Sequence, residues 1–338
     1  MSETPPPAPR RSGWILNAAL VAAAFGLLAW TVRGNWSQIQ EVLASRPDLR
    51  LFVLALGLYV TGLVITFIRW FVLVRALALP FRFRDAVRLG FIGNVFNLVI
   101  PGAVGGDLIK AAFLCKEQAK KTQAVASMVI DRVVGLLGLF VLAGVAGLFE
   151  LPVARPEVRT LIGFAWAAVL AGVVGLAVLF TPALYRPFLR LVQGSPKLSS
   201  MGQELVSFAG AYRERVPVVL GALGLAVLGH TFFVLAFTVV DHALYHDAAP
   251  SLGRHLVITP LVFFTMAVPL PFGALGLTEK ASEAIFKLVN FPGGAVAMMG
   301  FRVVMYAAGV VSALVYLANA RQVSRLRAEA VVGAAESA

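Results

Sequence analysis

Apolar residues in this chain fall in long unbroken runs, without the short alternating patterns of strands. Runs at about 14–32, 51–77, 124–149, 159–181, 216–240 and 296–320 each reach the roughly 20 residues a bilayer-spanning helix needs. Two further apolar stretches, 87–115 and 256–290, are broken at their centres by Pro and Gly. Each of their arms is about 10 to 15 residues, enough for half the hydrocarbon thickness. The pattern predicts an all-α polytopic membrane protein with six full spans and two re-entrant, Pro/Gly-broken hairpins. The alternative is eight full spans.

Composition agrees with a membrane solvent. The chain is 59% hydrophobic and only 14% charged, too few charges to cover a water-exposed globule. The run at 14–32 follows a Pro-rich head carrying Arg10 and Arg11. It is longer than a secretory leader and has no clear small-x-small cleavage pattern, so it is expected to be a retained helix. The net charge of +12 does not point to nucleic acid, because the basic residues cluster in loops and no aromatic-interleaved basic face occurs. The single cysteine, Cys115, excludes an intrachain disulfide and argues against a Cys-based metal site. No metal or cofactor is expected.

Loop charge discriminates between the two span counts. With two hairpins, 17 of the 29 Lys and Arg residues fall on the cytoplasmic side, seven outside and five within apolar segments. With eight full spans the same residues divide 12 against 12. The positive-inside bias favours hairpins, with both termini cytoplasmic.

The broken segments share a signature. PGAVGGDLIK begins at Pro101 and PFGALGLTEK at Pro271, and each is followed at one spacing by Arg-Val-Val, at Arg132 and Arg302. The offset is 170 residues throughout. Two spans, a hairpin and a span make an odd number of crossings, so the second half is inverted relative to the first, with the hairpin tips near the midplane. Chance recurrence of short Gly/Pro/Arg matches is the bland alternative. The expected organisation is a disordered cytoplasmic head (1–13), a first half (14–149), and a second-half span (159–181) leading into a basic amphipathic interfacial segment (182–215). The rest of the second half (216–320) and a cytoplasmic tail (321–338) follow.

Charges at membrane depth are costly and call for a reason. Asp107 falls where the returning half-helix begins, where a carboxylate caps free N–H groups. Lys110 lies a turn further on, able to pair with Asp107 or to meet a ligand. Glu279 and Lys280 hold the matching places in the second hairpin, with Thr278 a possible cap. Gly105 and Gly106, like Gly273 and Gly276, leave backbone amides bare, which suits phosphate or simply lets the turn pack closely. Asp131-Arg132 and Arg302 sit deep in their spans, and arginine offers a fork for phosphate oxygens. Internal ion pairs to Asp107, Asp131 or Glu279 are the alternative. Asn94 and Asn97 share a helical face ahead of Pro101, placed to satisfy carbonyls freed by the break. Arg69 near its span end reads as snorkelling, and His230 as packed and neutral. His242, His246 and Asp247 are weak evidence for a metal site. Lys110, Arg132, Lys280 and Arg302 are expected to form one basic cluster drawn equally from both halves.

Asn97, Pro101, Gly105-Gly106-Asp107, Lys110 and Asp131-Arg132, with Pro271, Gly273, Gly276 and Glu279, resemble the flippase-like transmembrane family of lysylphosphatidylglycerol synthases. The resemblance covers roughly 15–320 and departs at Lys110, Asp131 and Ala274, where arginine, glutamate and glycine are usual. It implies a flippase-type domain in a prokaryotic inner or plasma membrane. Its partners would be phospholipid or polyprenyl-type lipids, with a lipid-modifying synthase as a further partner. The expected function is transport of an anionic, phosphate-bearing lipid headgroup by alternating access, without enzymatic activity. The alternatives are a membrane-embedded enzyme acting on a lipid-linked phosphate or sugar, or an accessory subunit of a synthase.

Overall fold

The computed structural model describes residues 25–99, 121–185, 210–268 and 271–318, with residues 22, 106, 110, 114 and 206. The described residues are helical and contain no strand. Five helices are long and apolar enough to cross a bilayer. In chain order, the helices are α1 (Trp36–Ala44), α2 (Leu49–Ala76), α3 (Phe83–Val99), α4 (Lys121–Glu150) and α5 (Pro156–Phe180). They continue with α6 (Val216–Tyr245), α7 (Leu252–Phe264), the single turn α8 (Pro271–Ala274), α9 (Leu277–Lys287) and α10 (Gly294–Ala318).

The apolar runs predicted these helices to within a few residues, except where polar residues disguise a helix end. The span expected at 216–240 continues to Tyr245. Asp241 is fully buried there, and His242 turns Nδ1 back to the Thr238 carbonyl at 2.8 Å. Of the run at 14–32, residues 25–34 are helical and continue the helix to Gly34; most of the rest lies outside the described residues. The head (1–13), Pro101, Gly105, Asp107, most of 182–215 and the tail (321–338) also lie outside them.

The second broken segment is fractured as its prolines and glycines require. Ser251 caps α7, which contains Pro260 and passes into a tighter turn over Thr265–Ala267. Beyond it, Phe272, Ala274 and Gly276 take positive φ values of 55°, 54° and 82°. A regular right-handed helix cannot propagate through such residues, so α8 stays a single turn, and two of the three carry a Cβ that resists this region.

Helix packing brings early and late elements together. α2 packs along α6, α3 along α10, and α4 along α7 and α5. One apolar core joins Tyr59 and Phe67 of α2 to Phe237 of α6, Ile258 of α7, Phe286 of α9 and Phe301 of α10. A second core, toward the other end of α2, contains Trp70, Leu73, Phe81, Ile130 and Tyr212. There the Tyr212 hydroxyl donates to the Leu73 carbonyl (2.9 Å) and Arg215 Nη1 to that of Ala76 (2.5 Å). These donors satisfy carbonyls that the end of α2 leaves open.

Candidate functional site

The outer surfaces are apolar, and several charges are inside. Leu170 of α5 and Val310 and Leu314 of α10 are well exposed, while Arg69, Glu279, Asp241 and Arg302 are buried. That inversion fits lipid as the solvent, where charges must find partners within the bundle.

A central cavity of about 300 Å³ opens between the halves. One wall is polar, built from Thr66 and Arg69 of α2, Asn97 of α3, Lys110, and Asp131 and Arg132 of α4. The facing wall includes His230 and Phe233 of α6, Phe263, Met266, and Phe301 and Met305 of α10. Arg132 and Leu136 line the cavity and are also exposed, so it has an open side on the outer surface of α4.

Arg69 is the organising cation of this wall. Its Nε and Nη2 bond the two oxygens of Asp131 at 2.7 and 3.0 Å, and its side chain is only 7% exposed. It therefore does not snorkel. The guanidinium lies over Gly135, where an added Cβ would come within 3.2 Å of both terminal nitrogens. The Gly135 carbonyl in turn contacts His230 Nε2 at 3.0 Å, so α2, α4 and α6 meet around one glycine.

Lys110 and Gly106 are positioned by α3. Gly106 sits against the Gly93 backbone, with no room for a Cβ, and its N–H donates to Asn97 Oδ1 at 2.9 Å. Asn97 thus serves a free amide, where the sequence led us to expect a freed carbonyl. Asn94 bonds the Ser312 hydroxyl instead, at 3.0 Å. Lys110 runs over Gly93 and brings Nζ to 5.5 Å from the Trp70 ring centre and 5.9 Å from that of Phe67. These are cation–π distances.

The second copy of the signature is wired differently. Glu279 Oε2 accepts the Gly276 N–H at 2.7 Å, so Glu279 and not Thr278 caps α9. Thr278 donates back to the Ala274 carbonyl. Arg302 bonds both oxygens of Glu279 and donates Nη1 to the Phe272 carbonyl at 3.0 Å. Arg302 and Glu279 line a separate, largely apolar recess of about 400 Å³ with Phe25, Leu28 and Tyr306. Lys280 bonds Glu283 at 2.7 Å and lies over Trp30. The four basic residues expected in one cluster are therefore divided: Lys110 and Arg132 line the central cavity, Arg302 the recess, and Lys280 a salt bridge on α9. Pro271 and Gly273 lie in the turn α8. No group of three metal-ligating side chains occurs among the described residues.

Sequence reasoning missed two pairings. Arg69 and Asp131 are 62 positions apart with no motif between them. Asp241 and His255, both fully buried and 3.2 Å apart, lie where the charge pattern reads as an outer loop. For Arg69 and Asp131 the latent signal is a charge inside an apolar run; for Asp241 and His255 the sequence carries none.

Buried charge pairs, a charged cavity with an open flank and an apolar exterior define an all-helical, multi-pass membrane protein. The family comparison agrees: the chain belongs to the lysylphosphatidylglycerol synthase TM region family, whose model matches residues 14–313. A UPF0104 membrane protein of Pyrococcus horikoshii is 26% identical over 123 residues, covering 35% of this chain and 37% of that relative. No solved structure matches the chain.

Proposed function

We propose that this protein is a flippase-type transporter that carries the phosphate-bearing headgroup of an anionic lipid through the central cavity. The observation that carries this reading is a cavity walled by Arg69, Lys110 and Arg132, with Asp131 the one carboxylate among its described lining residues, and open beside exposed Leu136 on the outer surface of α4. A headgroup enters sideways through that opening while its acyl or polyprenyl chains stay in the bilayer. Arg132 offers the fork for phosphate oxygens, and Lys110 adds a point charge.

Reciprocal packing supports the inverted-repeat architecture of six spans and two re-entrant hairpins. α3, the first arm of the first broken segment, packs on α10, the last span of the second half. α7, the first arm of the second broken segment, packs on α4, the last span of the first half. α2 and α6, the matching second spans, pack on each other. Alternating access follows from rocking one half against the other. The natural setting for this activity is a prokaryotic plasma membrane, with both termini cytoplasmic and a lipid-modifying synthase supplying the lipid.

The test uses the purified protein in phosphatidylcholine vesicles doped with a fluorescent-tail phosphatidylglycerol, with dithionite bleaching the outer leaflet. The protein should raise the bleachable fraction above half, and Arg132→Gln should slow flipping about tenfold by removing the fork. Equal rates for the two proteins would remove Arg132 from the site. Native mass spectrometry of gently purified protein would identify the co-purifying lipid.

A further inference from the structure

The Asp241–His255 pair takes no part in the cavity, yet it is the most enclosed titratable pair among the described residues. Both side chains have no exposed surface, and Nε2 lies 3.2 Å from Oδ2. Apart from this contact with Nε2, no described donor hydrogen-bonds either Asp241 oxygen. His255 Nδ1 faces the Thr259 hydroxyl at 3.3 Å. Phe237 and Phe286 pack around the imidazole, with ring centres 5.8 and 5.5 Å away. The nearest other titratable groups are His242 and Tyr245 from α6, with Glu41 of α1 beyond Tyr245, and Glu150 of α4 lies against Gly253 in the turn of α7 that carries His255. α9 presents the apolar Phe286.

Such an enclosure tolerates only one charge balance. With one proton shared, the dyad is neutral overall, as aspartate with imidazolium or as acid with imidazole. Remove that proton and a fully buried carboxylate is left beside a neutral imidazole, a state that proteins avoid by relaxing until water enters. The dyad bridges the last turn of α6 and the first turn of α7, and α7 is the arm that leads into the strained tip at Phe272–Gly276.

We infer that Asp241 and His255 form a proton-binding site that latches α7 to α6, releasing its proton only when that corner opens. The sign follows from linkage: the closed corner holds one more proton than the open corner, so rising pH favours opening. Its role as a gate rests on the transport reading above. The proton moves between the dyad and water, and no other reactant is needed.

The experiment is hydrogen–deuterium exchange of the full-length protein in nanodiscs of phosphatidylglycerol and phosphatidylethanolamine. Rates are corrected for intrinsic exchange and read on peptides from 238–262. Between about pH 6 and pH 9, wild-type protection should fall about tenfold. In Asp241→Asn and His255→Gln the corrected rates should not change with pH. A pH-independent wild type overturns the latch without recourse to any variant, so a variant that fails to fold does not shield the inference. Flipping of fluorescent phosphatidylglycerol without proton-linked protection would sink the latch and leave the transport reading standing. Proton-linked protection without flipping would do the reverse. If both occur, a proton gradient should accelerate flipping in wild type and not in Asp241→Asn; insensitivity of the wild type would overturn the gating role.

Discussion

Glu279 holds Arg302 through both carboxylate oxygens while accepting the Gly276 amide through one of them. One carboxylate thereby ties α10 to the start of α9 and to the break before it. The second signature's arginine is bound to α9 and the turn before it, whereas the first signature's Arg132 lines the open cavity. Matching arginines of the two segments thus sit in different surroundings.

Glu279→Gln should therefore be mainly a folding defect. It leaves a buried guanidinium without its counter-charge, a change that costs about 3–5 kcal/mol. Thermal unfolding in detergent should show a large drop in midpoint. Arg302→Ala should unfold comparably early, because it strands the buried Glu279 carboxylate.

The Arg69–Asp131 pair allows stability to be separated from transport. Asp131→Leu alone should destabilise the protein by about 3–5 kcal/mol, since Arg69 is left buried and unmatched. Adding Arg69→Met should restore most of that loss, because apolar replacements of a buried pair are often neutral. The double variant should melt near wild type and fail to flip anionic lipid. Paired melting and vesicle measurements check both halves.

Gly135→Ala should act on the site through a single methyl. The new Cβ would stand 3.2 Å from both terminal nitrogens of Arg69, tighter than ordinary contact. The guanidinium must shift, weakening its two-point bond to Asp131. A modest stability loss of about 1 kcal/mol, typical of mild overpacking, should accompany a clear drop in flipping rate.

Gly106→Ala should be far more severe, because its Cβ collides with the Gly93 carbonyl backbone and crowds Asn97 Oδ1. Backbone cannot yield as a side-chain tip can. Loss of folded protein in size-exclusion chromatography is the expected result. Asn97→Ala, which strands one amide, should cost about 1–3 kcal/mol.

Much of the fold was legible because lipid imposes long apolar runs, and the breaks were legible because proline and glycine announce them. Of the residues the signature singled out, Lys110, Asp131 and Arg132 line the cavity, and Glu279 and Arg302 bind each other at the start of α9. The signature's division into two differently wired places was not legible: Lys110 and Lys280 match in sequence, but only contacts in space separate Trp70 from Glu283 as their neighbours. Arg69 looked like a snorkelling residue because its partner lies 62 positions away. Asp241 looked like a loop residue because burial by His255 and two phenylalanines leaves no local mark. Charge pairing across helices is a property of rotation about the helix axis, which apolar runs do not specify.

Where α2 crosses α6, Gly62 lies under the Phe233 ring and its Cβ position is 3.1 Å from the Gly229 carbonyl. Bare backbone on both helices lets them approach closely. The Phe233 ring of α6 seats in the notch that Gly62 leaves on α2 and packs against Tyr59, so the crossing is keyed by one aromatic side chain set into bare backbone. Arg69–Asp131 ties α2 to α4, Asp241–His255 ties α6 to α7 and Glu279–Arg302 ties α9 to α10, so none of these three ion pairs spans the α2–α6 crossing, which rests there on close packing.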